Sequence, residues 1–461
     1  MKEPYQHSGG GSWQAGAAYS RVGKQMESQT ITAFLAIGAA IILGFFGNAI
    51  FAKYRIPEVL ILVAFGMLIG PDILGTRFKL VTDNTLVSID QFRDLFLSIA
   101  LVVILFDGGL SLDIRRVLES ARLSLLMSVL TFILEMSIIA VLVNLISHVD
   151  FLICLILGGI VGGTAEAVVI PIASKMRIKE KTKAMLIMES VVTDVLVIVT
   201  VIALIKIAQL GEANAGTFVK ELAVKFLVGG VVGLVAGVAW LFVLQKLHNQ
   251  PLSYMLSVGA LFAVAGFVEL PQIGSSSVVA ALMFGLAIGN REFVKRKLTS
   301  RSLTLPSDEY IQQFSTEITF FVRTFFFVYL GLLFDFQSFT MVHLVLGILM
   351  ISVIVLSRRM TSLVAWKVGD MDKNDADAVF SMMPKGLAAA VLATLPAAML
   401  AGTPIWESAP AHWKLDVLFV NVVLIVILGT TILTTIMSFM VERKIDRTKR
   451  AELRSRIYED A

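Results

Sequence analysis

The chain has 461 residues, 57% of them hydrophobic and 16% charged, with a formal net charge of +4. Soluble domains run nearer half apolar and a quarter charged, so this composition, with a mean hydropathy of +0.83, excludes an ordinary soluble globule and points to a chain solvated by lipid. A lone Cys154 excludes a disulfide framework and a cysteine-based metal cluster, and reads as a small buried thiol.

The first residues, 1–28, are polar and rich in Gly and Ser. They lack the apolar core of a cleavable signal and are expected to be a disordered tail. From there a window of about 20 apolar residues, the length that crosses a bilayer, picks out about thirteen spans. They fall near 30–52, 57–75, 92–112, 121–147, 151–174, 182–209, 219–247, 252–270, 274–290, 314–335, 340–367, 377–401 and 413–441. The expected fold is therefore all-α and polytopic.

The loops between the spans alternate in charge. "DIRRVLESAR", "KMRIKEKTK", "REFVKRKLTSR" and the tail "ERKIDRTKRAELRSR" are basic, whereas "SHVD", "LPQ", "FDFQSFT" and "AGTPIWESAPAHW" are nearly free of Lys and Arg. Cytoplasmic loops carry the basic excess, which puts the C-terminus inside and, with an odd number of spans, the N-terminus outside. The basic tail, 442–461, is read as a solvated cytoplasmic segment.

Two spans are interrupted. The fifth holds "GGIVGGTAEAVVIP", with four glycines, an acid and Pro171; the twelfth holds "SMMPKGLAAAVLATLP", with Pro384, Lys385, Gly386 and Pro396. Their separation by seven spans fits two inverted six-helix repeats, and broken segments at matching places in two halves mark a transporter's midplane site.

Ionisable side chains inside these spans cost at least about 2.5–3.5 kcal/mol each on insertion scales, so they face a bundle interior or water. The set is Asp107, Glu135, Glu166, Glu189, Asp194, Arg323, Arg358, Arg359 and Lys385. On the sixth span Ser190 and Asp194 share a face, while Glu189 and Asp194, five apart, diverge by about 140°. Asp194, with the hydroxyls of Ser190 and Thr193 beside it, reads as the ion-facing acid, since hard cations want oxygen ligands. Glu189 reads as half of a buried ion pair. Glu166 and Lys385 sit where unwound helix ends carry partial charge, and Thr164 adds an oxygen near the first break. Glu135, Arg323 and Arg359 read as fillers of a polar seam.

Several stretches now acquire a common meaning. "RIPEVLILVAFGMLIGP", "ILFDGGLSLDIRR", "GGIVGGTAEAVV", "MESVVTDVLVIV", "RTFFFVYLGLLFDF" and "PKGLAAAVLA" occur in that order over 30–440. Together the chain resembles the monovalent cation:proton antiporter superfamily, in particular sodium/proton exchangers of the NhaP type. The resemblance implies that Asp194 is the essential ion- and proton-binding acid, with Ser190 close to the cation, Thr164 giving a carbonyl and Asp107 reaching the cation through water. Thr193 stands where the family has Asn. Glu189 matches an acid paired with an arginine of the eleventh span, best placed at Arg358, with Arg359 as the alternate. Lys385 stands for the arginine of an Arg-Gly pair. Ala165 replaces an Asp and Glu166 a Pro.

The implied function is exchange of Na⁺ (or K⁺, Li⁺) for H⁺ by competition at Asp194, one for one because the sixth span carries a single acid at this place. No cofactor and no nucleic acid is implied; the partners are the ions, membrane lipid and a second copy of the chain, in a plasma membrane. The implied division is a dimerisation part (29–112 and 252–335), a core (121–209 and 340–441) that moves past it like an elevator, and a linker helix (219–247). Two rival readings are a passive cation channel and an organic-anion/sodium symporter on a similar fold. The absence of a selectivity-filter motif weighs against the first, and the acids available to Lys385 and Arg358 weigh against the second.

Overall fold

A computed structural model describes residues 57–75, 83–112, 114–210, 215–246, 253–298, 308–368 and 371–459, with most of 34–49. The tail 1–28 lies outside the described residues. Among the described residues the chain is helical with no strand. A polar backbone in lipid must close its own hydrogen bonds, and long apolar runs do so as helices.

The elements are α1 (Ile37–Gly47), α2 (Glu58–Ile69) with a π-helical turn at Pro71–Gly75, α3 (Asp83–Ser111), α4 (Ile114–Ser147), α5 (Phe151–Ile160) and α6 (Glu166–Lys175). Then come α7 (Glu180–Leu210), α8 (Ala215–Lys246), α9 (Ser253–Glu269), α10 (Ser277–Gly289), α11 (Arg291–Leu298) and α12 (Asp308–Leu332). The last are α13 (Met341–Val368), α14 (Lys373–Ser381), α15 (Leu387–Leu400), α16 (Pro404–Glu407) and α17 (Leu415–Glu459). Among the described residues six of these segments are long and apolar enough to cross a membrane by themselves.

The two expected interruptions are present, at 161–165 between α5 and α6 and at 382–386 between α14 and α15. Their causes differ from a simple proline rule. Pro384 lies in a break, but α6 runs through Pro171 and α15 through Pro396. Proline removes one helical hydrogen bond, and surrounding helices hold the rest of the turn. α17 is one helix of 45 residues, about 68 Å at 1.5 Å per residue, so the last span and the basic tail are a single rod.

The helices pack in two groups. α2 packs on α12, and α10 packs on both α3 and α8; α4, α5, α6, α7, α13, α14, α15 and α17 pack among themselves. α3 meets α7 and α15, and α12 meets α15, where the groups join. Small residues bring the first group's backbones together. A Cβ on Gly331 of α12 would lie 3.0 Å from the Cα of Gly66 on α2, and one on Gly289 of α10 would lie 2.9 Å from the Cα of Leu110 on α3. In α8, Gly229, Gly233 and Gly237 recur every fourth residue and face the α10 backbone. In lipid, where apolar surface gains nothing by leaving solvent, such close approach drives helix association.

At Gly237 an added Cβ would meet the Cβ of Ala287 at 2.7 Å and the carbonyl of Phe284 at 2.8 Å, whereas Gly259 has nothing within 4 Å. Gly237→Val therefore lowers the thermal midpoint of detergent-solubilised protein, by overpacking of about 1–3 kcal/mol. Gly259→Val gives a much smaller shift in the same melt.

Candidate functional site

The two breaks meet and satisfy each other. The backbone N–H of Ala165 donates to the carbonyl of Pro384 at 2.7 Å. Gly386 is required by this contact, because a Cβ there would lie 3.3 Å from the Cα of Ala165 and closer still to its side chain. The second break hangs on α17: Met383 N–H donates to the hydroxyl of Thr434 at 3.2 Å and Lys385 N–H to that of Thr430 at 3.1 Å. These threonines are four apart and so share one face. The first break hangs on α7, through Thr164 N–H donating to the Thr193 hydroxyl at 3.1 Å.

The half-helix ends carry partial charge, and each has a counter-charge. α6 begins at Glu166, whose backbone N–H acts on the Asp194 carboxylate, and a Cβ on Gly163 in the break would lie 3.5 Å from Asp194 Oδ1. Asp194 is thus the acid bound at a helix N-terminus. At the C-terminal end of α14, Arg358 Nε donates to the Val379 carbonyl at 2.9 Å.

Arg358 also makes a two-pronged pair with Glu189: Nη1 contacts Oε1, and Nη2 donates to Oε2 at 3.0 Å. A second pair joins Lys385 Nζ to Glu135 Oε2 at 2.6 Å, with the Ser357 hydroxyl donating to Glu135 Oε1 at 3.2 Å. All four charged side chains are buried. Arg359 is exposed and stacks over the Phe380 ring instead. The angular argument on α7 therefore has a physical counterpart, with Glu189 turned to α13 and Asp194 turned to open space.

That space is a cavity of about 360 Å³, whose polar wall includes Glu58, Asp107, Glu166, Asp194, Thr319 and Arg323. Four carboxylates face one guanidinium there. Arg323 Nε lies 2.5 Å from Glu58 Oε1, yet its N–H and Glu58 Oε2 are without a hydrogen-bond partner. The contact is ionic, with poor angular alignment. Glu166 Oε2 and the Thr319 hydroxyl are likewise buried without a partner. Beyond Asp194 along α7, Val197, Ile198, Val201, Ile202 and Ile205 are buried and apolar, so that side is dry.

The structure brings Asp107, Glu166 and Asp194 to one cavity. Thr164, Thr193 and Ser190 lie behind it, fully buried. The Thr164 and Thr193 hydroxyls are 3.1 Å apart, Thr193 donates to the Ser190 carbonyl at 3.1 Å, and Ser190 donates to the Ile187 carbonyl at 2.9 Å. Sequence reasoning missed Glu58, the Glu135–Lys385 pairing and the role of Thr430 and Thr434. Glu58 follows Pro57 at the start of α2, which reads as an ordinary helix beginning, so its signal was ambiguous. The four-residue spacing of Thr430 and Thr434 on an apolar helix was the available clue to the other.

Mutually closed helix breaks, an acid at a half-helix N-terminus and a buried acidic cavity define a multi-pass integral membrane transporter built on discontinuous helices. The transmembrane sodium/hydrogen exchanger family matches residues 37–443, and the chain belongs to that family. It is 29% identical over 302 residues to the probable Na⁺/H⁺ antiporter 2 of Methanocaldococcus jannaschii, covering 62% of this chain and 67% of that protein. It is 27% identical over 271 residues to the K⁺/H⁺ antiporter NhaP of Alkalimonas amylolytica, covering 58% of this chain and 45%, under half, of the relative. The fold is similar to that of the sodium proton antiporter MjNhaP1 of M. jannaschii, with a TM-score of 0.72 at 19% identity over 90% of this chain and 99% of that one.

Removing one member of a buried pair leaves an uncompensated charge, at a cost of about 3–5 kcal/mol. Glu135→Leu is therefore expected to lower the melting temperature in detergent sharply, and Glu135→Leu/Lys385→Met to recover most of the loss. A melt of the double variant as low as that of the single one would contradict the pairing.

Proposed function

We propose that the chain is a secondary antiporter that exchanges Na⁺ or K⁺ for H⁺ by competition at Asp194. The observation that carries this reading is the placement of Asp194. Its carboxylate lies beside the first helix break, at the start of α6, and also borders the acidic cavity, so one group belongs both to the helix crossing and to the ion path. A carboxylate holding a cation cannot hold a proton, and an empty buried carboxylate is too costly to move through lipid. Occupancy by one ion or the other is then the condition for crossing. With Asp194 as the exchanging group, one cation moves for one proton and the cycle is electroneutral.

The names of the relatives, Na⁺/H⁺ in one case and K⁺/H⁺ in another, support a monovalent cation as cargo. Asp107 faces the same cavity as a water-mediated partner; Ser190, Thr193 and the carbonyl of Thr164 supply oxygens on its deep side. The Glu189–Arg358 and Glu135–Lys385 pairs hold the crossing in place.

In the same reading the chain crosses a plasma membrane about thirteen times, the number that the apolar windows give. Its C-terminus is cytoplasmic, its N-terminus external, and its two broken helices belong to inverted repeats. The cavity residues of α2, α3, α6 and α12 lie in the halves that adjoin the basic loops, which makes this an inward-facing arrangement. The glycine-packed group (α2, α3, α10, α12) is the dimerisation part and α8 the linker. The group holding both breaks is the core that slides past it in an elevator motion. The chain acts as a homodimer in lipid.

The test is Asp194→Asn reconstituted in proteoliposomes. A Na⁺ or K⁺ gradient drives proton flux through the wild type, and the variant is expected to lose at least about 100-fold in rate, as for a group essential to its step. Cation-driven pH change at the wild-type rate in the variant would refute the reading.

A further inference from the structure

Arg323 is the single basic side chain on the wall of the cavity, among the described residues. It belongs to α12, whereas Asp194 and Glu166 belong to α7 and α6. Its acid neighbour on its own side is Glu58 of α2, whose Oε1 lies 2.5 Å from Nε without a hydrogen bond. The guanidinium is therefore not consumed by that pair. A fork–fork contact would have been the strong form, as Arg358 shows with Glu189. Arg323 also acts electrostatically on Glu166 across the cavity, and Glu166 in turn feels Asp107 and Asp194. The remaining walls, Leu387 and Ala388 of α15 and Ile104 of α3, are uncharged.

We propose that Arg323 is a coupling residue, a fixed positive charge that holds the ion-free core in place. This rests on the exchange reading above. A core that has released its ion exposes its carboxylates to the cavity and carries net negative charge. Arg323, on the opposite helix group, attracts it, and the attraction must be broken before the two groups can slide. A core loaded with a cation or a proton has lost that charge and moves freely. Since the cavity is small and apolar on several sides, the field of the guanidinium is poorly screened. Arg323 is thus a positioning group; it need not touch the ion.

The consequence is specific. Without the charge at 323, ion-free cores cross more often, and each such crossing returns the carrier without a counter-ion. The cation then leaks down its gradient uncoupled from protons. The experiment uses the full chain in proteoliposomes, with Na⁺ or K⁺ as the probe and membrane voltage clamped by ionophore. Proton flux and cation flux are measured together, with current on a supported membrane. Arg323→Gln is paired with Glu58→Gln/Arg323→Gln, which keeps the wall neutral and guards against misfolding, and with Arg323→Lys, which keeps the charge. The expected result is that both neutral variants still exchange but show about tenfold more cation flux per proton and a matching current. Arg323→Lys stays coupled. Neutral variants as tightly coupled as the wild type, or Arg323→Lys leaking like them, overturn the proposal. Absence of any exchange in the wild type would instead overturn the function it rests on.

Discussion

The structure depends on two broken helices closing each other's backbones inside lipid. An unwound segment in a membrane is tolerated only where every freed N–H and C=O finds a partner. Here the partners are the Ala165–Pro384 hydrogen bond, the hydroxyls of Thr193, Thr430 and Thr434, and charged side chains at the half-helix ends. Asp194 lies beside the start of α6, and Arg358 donates to the last turn of α14. Chemistry and architecture are joined at this point, because the acid that serves the helix end is also the one that faces the cavity.

The buried charges then sort by geometry. Glu189 and Glu135 are each matched by a buried base with short contacts. On the cavity wall, Oε2 of Glu58 and Oε2 of Glu166 are buried without a hydrogen-bond partner. Unpaired buried acceptors want a cation or a proton, and that demand is the driving chemistry of the proposed exchange. The apolar side chains beyond Asp194 close the cavity on that side.

Much of this was legible in the sequence, for physical reasons. Apolar runs of bilayer length admit only helices, so the all-α fold followed from composition. Glycines in "GGIVGG" and the "PKG" triplet located both breaks. The five-residue offset between Glu189 and Asp194 put them on different faces of the helix, and the structure turns Glu189 to Arg358 and Asp194 to the cavity. What stayed hidden depended on distant partners. Glu58 resembles any acid opening a helix, Arg323 resembles a seam filler, and nothing near Lys385 names Glu135, which lies 250 positions away. The threonines of α17 looked like ordinary small polar residues of a span until the break they support was in view. The prolines at 171 and 396 pointed to interruptions that packing overrides.

The central claim is that one carboxylate cannot hold a proton and an alkali cation at once. Its most direct measurement is proton release on cation addition to the purified protein, by calorimetry in buffers of different ionisation heat. Adding Na⁺ or K⁺ near neutral pH is predicted to release protons in proportion to the cation bound, with the release fading as pH rises and the site is already empty of protons. Cation binding with no proton release at any pH would contradict the account.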